Sequence, residues 1–392
     1  MGKYNFDEII ERRGTGSLKW NGPDNELPMW VADMDFQTAP EIRDAMVRIA
    51  ERGVYGYNVM PAEWELSYQE WWQRKHELTI GKGELLFAKG IVPAISSMIR
   101  SFTEPGDSVL IQPPVYNCFF RTIKDNHRKI VENNLLVGDD LSCSIDFDDL
   151  EGKLSDPSVK LFILCNPQNP GGRIWSREEL AAMGELAAKH NVVIISDEIH
   201  CDLTEPGKSY QPFAAVNETC RQNSLTCLAP SKTFNLAGIQ TSAIYSANEE
   251  LRKRAEQGFD TDEVSEPGSF AAEAAIAAFR YGESWLFELN EYISENKKTV
   301  KAFLSEELPE IRVTPSEATY LLWLDCRKLS KQGAGFASFL REKTGLFLLD
   351  GKNYGESGKG FLRMNVACPR ALVVDGLKRL KEGVLLWNQE KE

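Results

Sequence analysis

Apolar residues in the middle of the chain fall into short continuous runs separated by segments of helical period. Leu161–Cys165 and Val192–Ser196 are such runs, the second rich in β-branched residues, as expected of strands buried on both faces. Between them, Ser176–His190 repeats its apolar residues at helical spacing. Ser176 and Glu179 make a capping box at its start, and Asn191 supplies a stop. Strand, helix and strand at this spacing form a βαβ unit, which predicts a mostly parallel sheet. Ser108–Ile111 and Leu225–Ala229 supply further strands.

Upstream, Thr38 and Glu41 read as a second capping box, with Pro40 in the first turn and Gly53 just past the helix end. Downstream the texture changes. Glu283–Leu308 reads as a long, polar-faced connecting helix, followed by strands at Tyr320–Asp325 and Phe361–Val366 and a final helix at Arg370–Leu386. This predicts an α/β protein whose large, mostly parallel unit is followed by a smaller α+β one.

A formal charge of −13 over 392 residues excludes the basic stripes of a sequence-independent nucleic-acid binder. The start, Met1–Phe6, has no apolar signal-peptide core, and no run is long enough to span a bilayer. The eight cysteines include no C-x-x-C pair and the four histidines no H-E-x-x-H, so neither a disulfide framework nor a zinc site is expected. A cytoplasmic, metal-free protein with no membrane or nucleic-acid partner is the expectation.

Ligands of open α/β sheets bind outside the carboxyl ends of the strands. Three polar groups fall there: Asn166–Gly172, Asp197–His200, and Lys232 in Pro230-Ser231-Lys232. Desolvation disfavours the charge of a lysine at the end of a buried strand and makes it a good amine nucleophile toward a carbonyl cofactor. Lys89-Gly90-Ile91-Val92-Pro93 opens a helix predicted over Pro93–Phe102. A glycine turn into a helix N-terminus is a phosphate cradle, because unpaired N–H groups and the helix dipole point at the anion.

The order and content of these groups resemble the fold-type-I pyridoxal-5′-phosphate (PLP) enzymes of the aspartate aminotransferase superfamily. The stretches Phe6–Ile10, Arg12–Gly14, Ser17–Trp20 and Leu27–Phe36 are similar to the MalY/PatB-type carbon–sulfur β-lyases. So are Asp197–His200, Ala229–Asn235, Leu362–Asn365 and Cys368–Arg370. The resemblance runs over essentially the whole chain. It implies a PLP-dependent transferase-like fold in three parts: an N-terminal segment, 1–45, packing with the small domain and active site; a large PLP-binding domain, 46–282; and a small C-terminal domain, 283–392.

By the same resemblance, Lys232 carries PLP and then acts as acid and base at the substrate Cα. Asp197 pairs with the pyridinium nitrogen, Asn169 donates to the 3′ oxygen, and Tyr116 stacks on the ring. Gly90, Ile91, Val92 and Ser231 bind the phosphate, joined by Tyr57 from across a dimer interface. Arg363 grips the substrate carboxylate, with Trp30, Val31 and Tyr55 as further substrate contacts. His200 stands near the cofactor where many aminotransferases have tyrosine. Ala229 and Gln240 replace common phosphate ligands, and Gly171 replaces a common threonine. Gly355, Gly358 and Gly360 suggest a tight, mobile loop before Arg363.

The implied reaction is α,β-elimination from cystathionine or another S-substituted cysteine by a homodimer. An aminotransferase of aromatic or hydrophobic amino acids is the alternative. A regulatory or scaffold protein is a third reading, against which the intact Lys232, Asp197, Asn169 and Arg363 argue.

Overall fold

The computed structural model describes residues 2–329 and 335–390. Seven strands form the main sheet, in the spatial order Leu85–Ala88, Ser242–Tyr245, Ser224–Leu228, Val193–Asp197, Val159–Cys165, Ser108–Ile111 and Lys129–Glu132. Ser242–Tyr245 runs antiparallel to both its neighbours; every other pair is parallel. The apolar runs are continuous because the sheet is covered on both faces. Alternate residues of Val159–Cys165 enter different cores: Leu161 and Ile163 pack with the helix Ile91–Phe102, while Phe162 and Leu164 pack with the helix Arg177–Lys189.

The Ser176 capping box forms, Ser176 Oγ accepting from Glu179 N–H and Ser176 N–H donating to Glu179 Oε2 at 2.9 Å. The second expected box does not. The helix Pro40–Arg52 starts from Ala39, and the Thr38 hydroxyl donates to Phe234 O at 2.8 Å instead. A tertiary acceptor has replaced the local one. Gly53 does close that helix, at φ 67°. The expected division at 45/46 falls inside it. The helix expected from Pro93 begins two residues earlier, at Ile91, and the last helix runs on to Gln389.

After the 25-residue helix Glu283–Glu307 comes a second, antiparallel sheet, ordered Arg312–Val313, Leu321–Asp325, Phe361–Asn365 and Leu349–Asp350. The N-terminal segment joins this part of the chain directly, Leu27–Pro28 pairing in parallel with Leu346–Phe347. The glycine-rich stretch before Arg363 is packed rather than loose: a Cβ on Gly351 would lie 2.1 Å from Gly358 O. Close backbone approach at Gly358, and positive φ of 112° at Gly355 and 84° at Gly360, account for glycine there. Among the described residues, no helix is long and apolar enough to cross a membrane.

Candidate active site

A cavity of about 220 Å³ opens at the carboxyl ends of the parallel strands. Lys232 enters it from the short helix Pro230–Thr233, just past the strand Ser224–Leu228, and its Nζ donates to Ala32 O at 2.6 Å. Burial, with Arg363 nearby, lowers the amine to a pKa of about 8 against the opposing pull of Asp33 and Asp197. Asp197, the last residue of Val193–Asp197, lines the same cavity. Burial pushes its carboxyl up to about 7, opposed by the Ile199 N–H and by Lys232.

Opposite the lysine, Gly90 sits at φ 96° and turns the chain into the helix of Ile91 and Val92. The first-turn N–H groups of a helix have no intrahelical partner, so this corner is receptive to an anion. Ser231, Gln240 and Thr241 line the cavity too, and the buried Thr241 hydroxyl has no hydrogen-bond partner. Tyr116 forms a further wall, its ring set edge-on to Phe119 with centroids 5.6 Å apart.

Arg363 comes from the second sheet. Its Nη1 donates to Asn169 Oδ1 at 3.2 Å and its Nη2 to Trp30 O at 2.7 Å, and the guanidinium lies 5.1 Å from the Tyr354 ring centroid. Nε is buried without a partner. The stretch from Trp30 to Phe36 is a strap stitched down by backbone carbonyls. Asn365 Nδ2 donates to Val31 O at 2.7 Å and to Asp33 O at 2.6 Å. The Tyr320 hydroxyl donates to Ala32 O at 2.9 Å, the acceptor Lys232 uses. Asn235 holds Met34 and Phe36. Trp30 stacks on Phe347 with centroids 4.9 Å apart. Behind the strap, Lys19 and Arg12 pair with Asp35 and Asp33.

His200 is buried but does not line the cavity. It packs edge-on to Tyr320, and burial with Lys232 and Arg363 nearby holds it well below its usual pKa, so the ring is neutral. Tyr55 and Tyr57 are not brought into the site of a single chain. Tyr57 is fully exposed, while Tyr55 donates to Ala50 O at 2.7 Å and stacks on Phe270. Sequence reasoning gave no role to Tyr320, Asn235, Asn365 or Thr241, nor to the Ala32 carbonyl. The last has no sequence signal, because any residue supplies a carbonyl.

These groups fit pyridoxal phosphate. A depressed amine faces the cavity, a helix start awaits an anion, and the orphaned Thr241 hydroxyl lacks a partner beside it. The Asp197 carboxyl, raised because it is buried without a cation bonded to it, is suited to a pyridinium. Asn169 has its oxygen committed to Arg363, which leaves its amide hydrogens to donate.

Residues 27–380 match the family of class I and II aminotransferases. The chain is 42% identical over 383 residues to cystathionine beta-lyase PatB of Bacillus subtilis (strain 168), covering 96% of this chain and 99% of that protein. Protein MalY of Escherichia coli (strain K12) is 31% identical over 388 residues, covering 96% and 98%. Cystalysin from Treponema denticola, whose structure contains a pyridoxal 5′-phosphate cofactor, superposes with a TM-score of 0.94 at 33% identity, covering 97% of this chain and 99% of that one. The PLP-bound C-S lyase from Staphylococcus hominis gives a TM-score of 0.91 at 33% identity, with the same coverage. With the match spanning nearly its whole length, the chain belongs to the class I and II aminotransferase family, and PatB and MalY are among its full-length relatives.

Proposed function

We infer that this protein is a PLP-dependent carbon–sulfur β-lyase that cleaves L-cystathionine or a related S-substituted cysteine to a thiol, pyruvate and ammonia. The observation that carries the choice of elimination is the full-length identity to a cystathionine β-lyase; the geometry supplies the means. PLP, held by Lys232, supplies a carbonyl for the substrate amine and a ring that withdraws electrons from Cα.

The chain's own residues do the rest. Arg363 is a planar fork suited to binding both oxygens of the substrate carboxylate, with three of its five N–H donors uncommitted. Asp197 pairs with the ring nitrogen and keeps it protonated. In the cofactor-free chain, burial depresses Lys232 to about 8, which favours its free amine near neutral pH. With the cofactor bound, that amine would take the proton from Cα; the carbon–sulfur bond at Cβ would break with its electron pair leaving on sulfur, which takes up a proton and departs as the thiol. Water completes the release of pyruvate and ammonia.

The first turn of the Ile91 helix and Ser231 hold the phosphate. Tyr57 reaches the site of a second copy in a homodimer; its complete exposure in the single chain supports that reading. All eight cysteines are free, consistent with a reducing, cytoplasmic setting.

The test is pyruvate release from L-cystathionine by PLP-loaded protein without any keto-acid acceptor. Acceptor-independent pyruvate, lost in Lys232→Ala, is the expected result. Turnover only with a 2-oxo acid would make the protein an aminotransferase instead.

A further inference from the structure

A second cavity, of about 270 Å³, shares no wall residue with the catalytic one, and neither Arg363 nor Trp30 lines it. It is larger than the ~150 Å³ void that accommodates benzene in a protein core. Leu135, Leu141, Trp323 and Phe361 give it an apolar body. Its walls come from several places, two of which are fastened together. Gln168 and Gly171 belong to the loop that carries Asn169, and Thr314 and Glu317 precede the strand Leu321–Asp325. Glu317 N–H and Ala318 N–H both donate to Gly172 O at 2.8 Å, fastening one wall to the other.

Three residues of this lining each hold a buried polar atom with no hydrogen-bond partner: Arg173 Nη1, Thr314 Oγ1 and Ser357 Oγ. Thr314 is only 5% exposed. Native interiors leave few such atoms, and three around one cavity call for a polar occupant. The Arg173 fork is held in place on one side. Its Nη2 donates to Glu179 Oε1 at 2.6 Å and the guanidinium lies 4.5 Å from the Trp175 ring centroid, while Nη1 is left over.

Of the acids on the wall, one is paired with a cation and the other keeps its charge at the exposed rim, where water screens it. Glu317 pairs with Lys208 at 2.8 Å and accepts from Ile174 N–H, and Asp140 at the exposed rim accepts from the Ser142 N–H and hydroxyl. Burial pushes the Cys143 thiol up, so it presents no competing charge. What remains is an apolar chamber with half of one guanidinium and two hydroxyls unsatisfied. Its complement is an apolar skeleton carrying one carboxylate. We propose that this cavity binds a small amphipathic monocarboxylate at a site distinct from the catalytic centre.

The experiment titrates 3-phenylpropanoate into the PLP-loaded enzyme by calorimetry, with 3-phenylpropan-1-ol as the uncharged control. Because Arg363 also faces carboxylates, the titration is repeated in Arg363→Lys. The expected result is binding that persists in Arg363→Lys, weakens at least ten-fold in Arg173→Gln, and is at least ten-fold weaker for the alcohol. Should Arg173→Gln not fold, Thr314→Val, which removes a hydroxyl at constant volume, decides by a loss of three-fold or more. No binding, as for a chamber that only holds water, overturns the proposal. So does binding lost in Arg363→Lys, or binding that the deciding variant leaves unchanged.

Discussion

Arg363 Nη1 and Asn169 Oδ1 are 3.2 Å apart in a buried hydrogen bond, so the expected substrate-carboxylate ligand and the expected cofactor ligand are mechanically one unit. Asn169→Asp would give Arg363 an internal carboxylate that competes with the substrate's. KM is expected to rise ten-fold or more, about 1.4 kcal/mol, together with weaker PLP retention in a spectroscopic titration. An unchanged KM would show that the two residues act independently.

Asp197 sets a pH dependence whose sign is fixed. Its folded pKa, about 7, lies above its unfolded value. The stability it contributes to the cofactor-free protein is therefore full below about pH 4 and lost as pH rises toward 7. Asn at this position does not titrate. The melting temperature of apo Asp197→Asn, relative to wild type, is expected to climb by a few degrees between pH 4 and 7. Glu198, also raised by burial, remains in both proteins and cancels in the comparison. In the PLP-loaded proteins the order reverses at neutral pH, since only the carboxylate pairs with the ring nitrogen. A variant that gains nothing with pH would remove the unpaired carboxyl from the account.

Asn365→Ala removes one donor from each of Val31 O and Asp33 O, which keep Asp33 N–H and Lys19 Nζ, and takes the acceptor of the Ala367 N–H away. Losing these bonds and leaving the buried Ala367 N–H unpaired is expected to cost about 2–4 kcal/mol in urea unfolding. It should also raise KM, because the strap supplies the Trp30 carbonyl that orients Arg363. Lost stability with an unaltered KM would confine the strap to a structural role.

The proposed sharing of sites between two copies makes a prediction by mixing. Lys232→Ala and Tyr57→Ala are each expected to be severely impaired as pure proteins. Unfolded together and refolded, random pairing puts half the chains into mixed dimers with one intact site each, restoring about a quarter of wild-type activity. No recovery would mean that Tyr57 serves its own chain or no site.

The main sheet was legible because both faces of its strands are buried: Leu161–Cys165 could be read without any alternation, and the helix after it carries its own cap at Ser176. Lys232 and Asp197 were legible because each lies at or just past the end of a strand, where the topology makes ligands meet, and Gly90 because a glycine turn opens a helix there. The Thr38 box misled because a hydroxyl takes whichever acceptor the fold offers, here one 196 residues away. Tyr320, Asn235 and Asn365 were hidden for the same reason: their partners are carbonyls of the distant strap. No local pattern announces such a bond.

The strap joins the beginning of the chain to its end, Trp30 O accepting from an arginine 333 residues further on. During synthesis at ~5–20 residues per second, those first residues wait roughly twenty seconds to a minute for their partners. Throughout that interval Met29, Met34 and Phe36, all buried in the finished protein, lack their C-terminal cover. The nascent chain is thus exposed to misassociation longest at its catalytic edge. A message truncated before Asn365 yields a chain whose strap lacks the donor shared by Val31 O and Asp33 O.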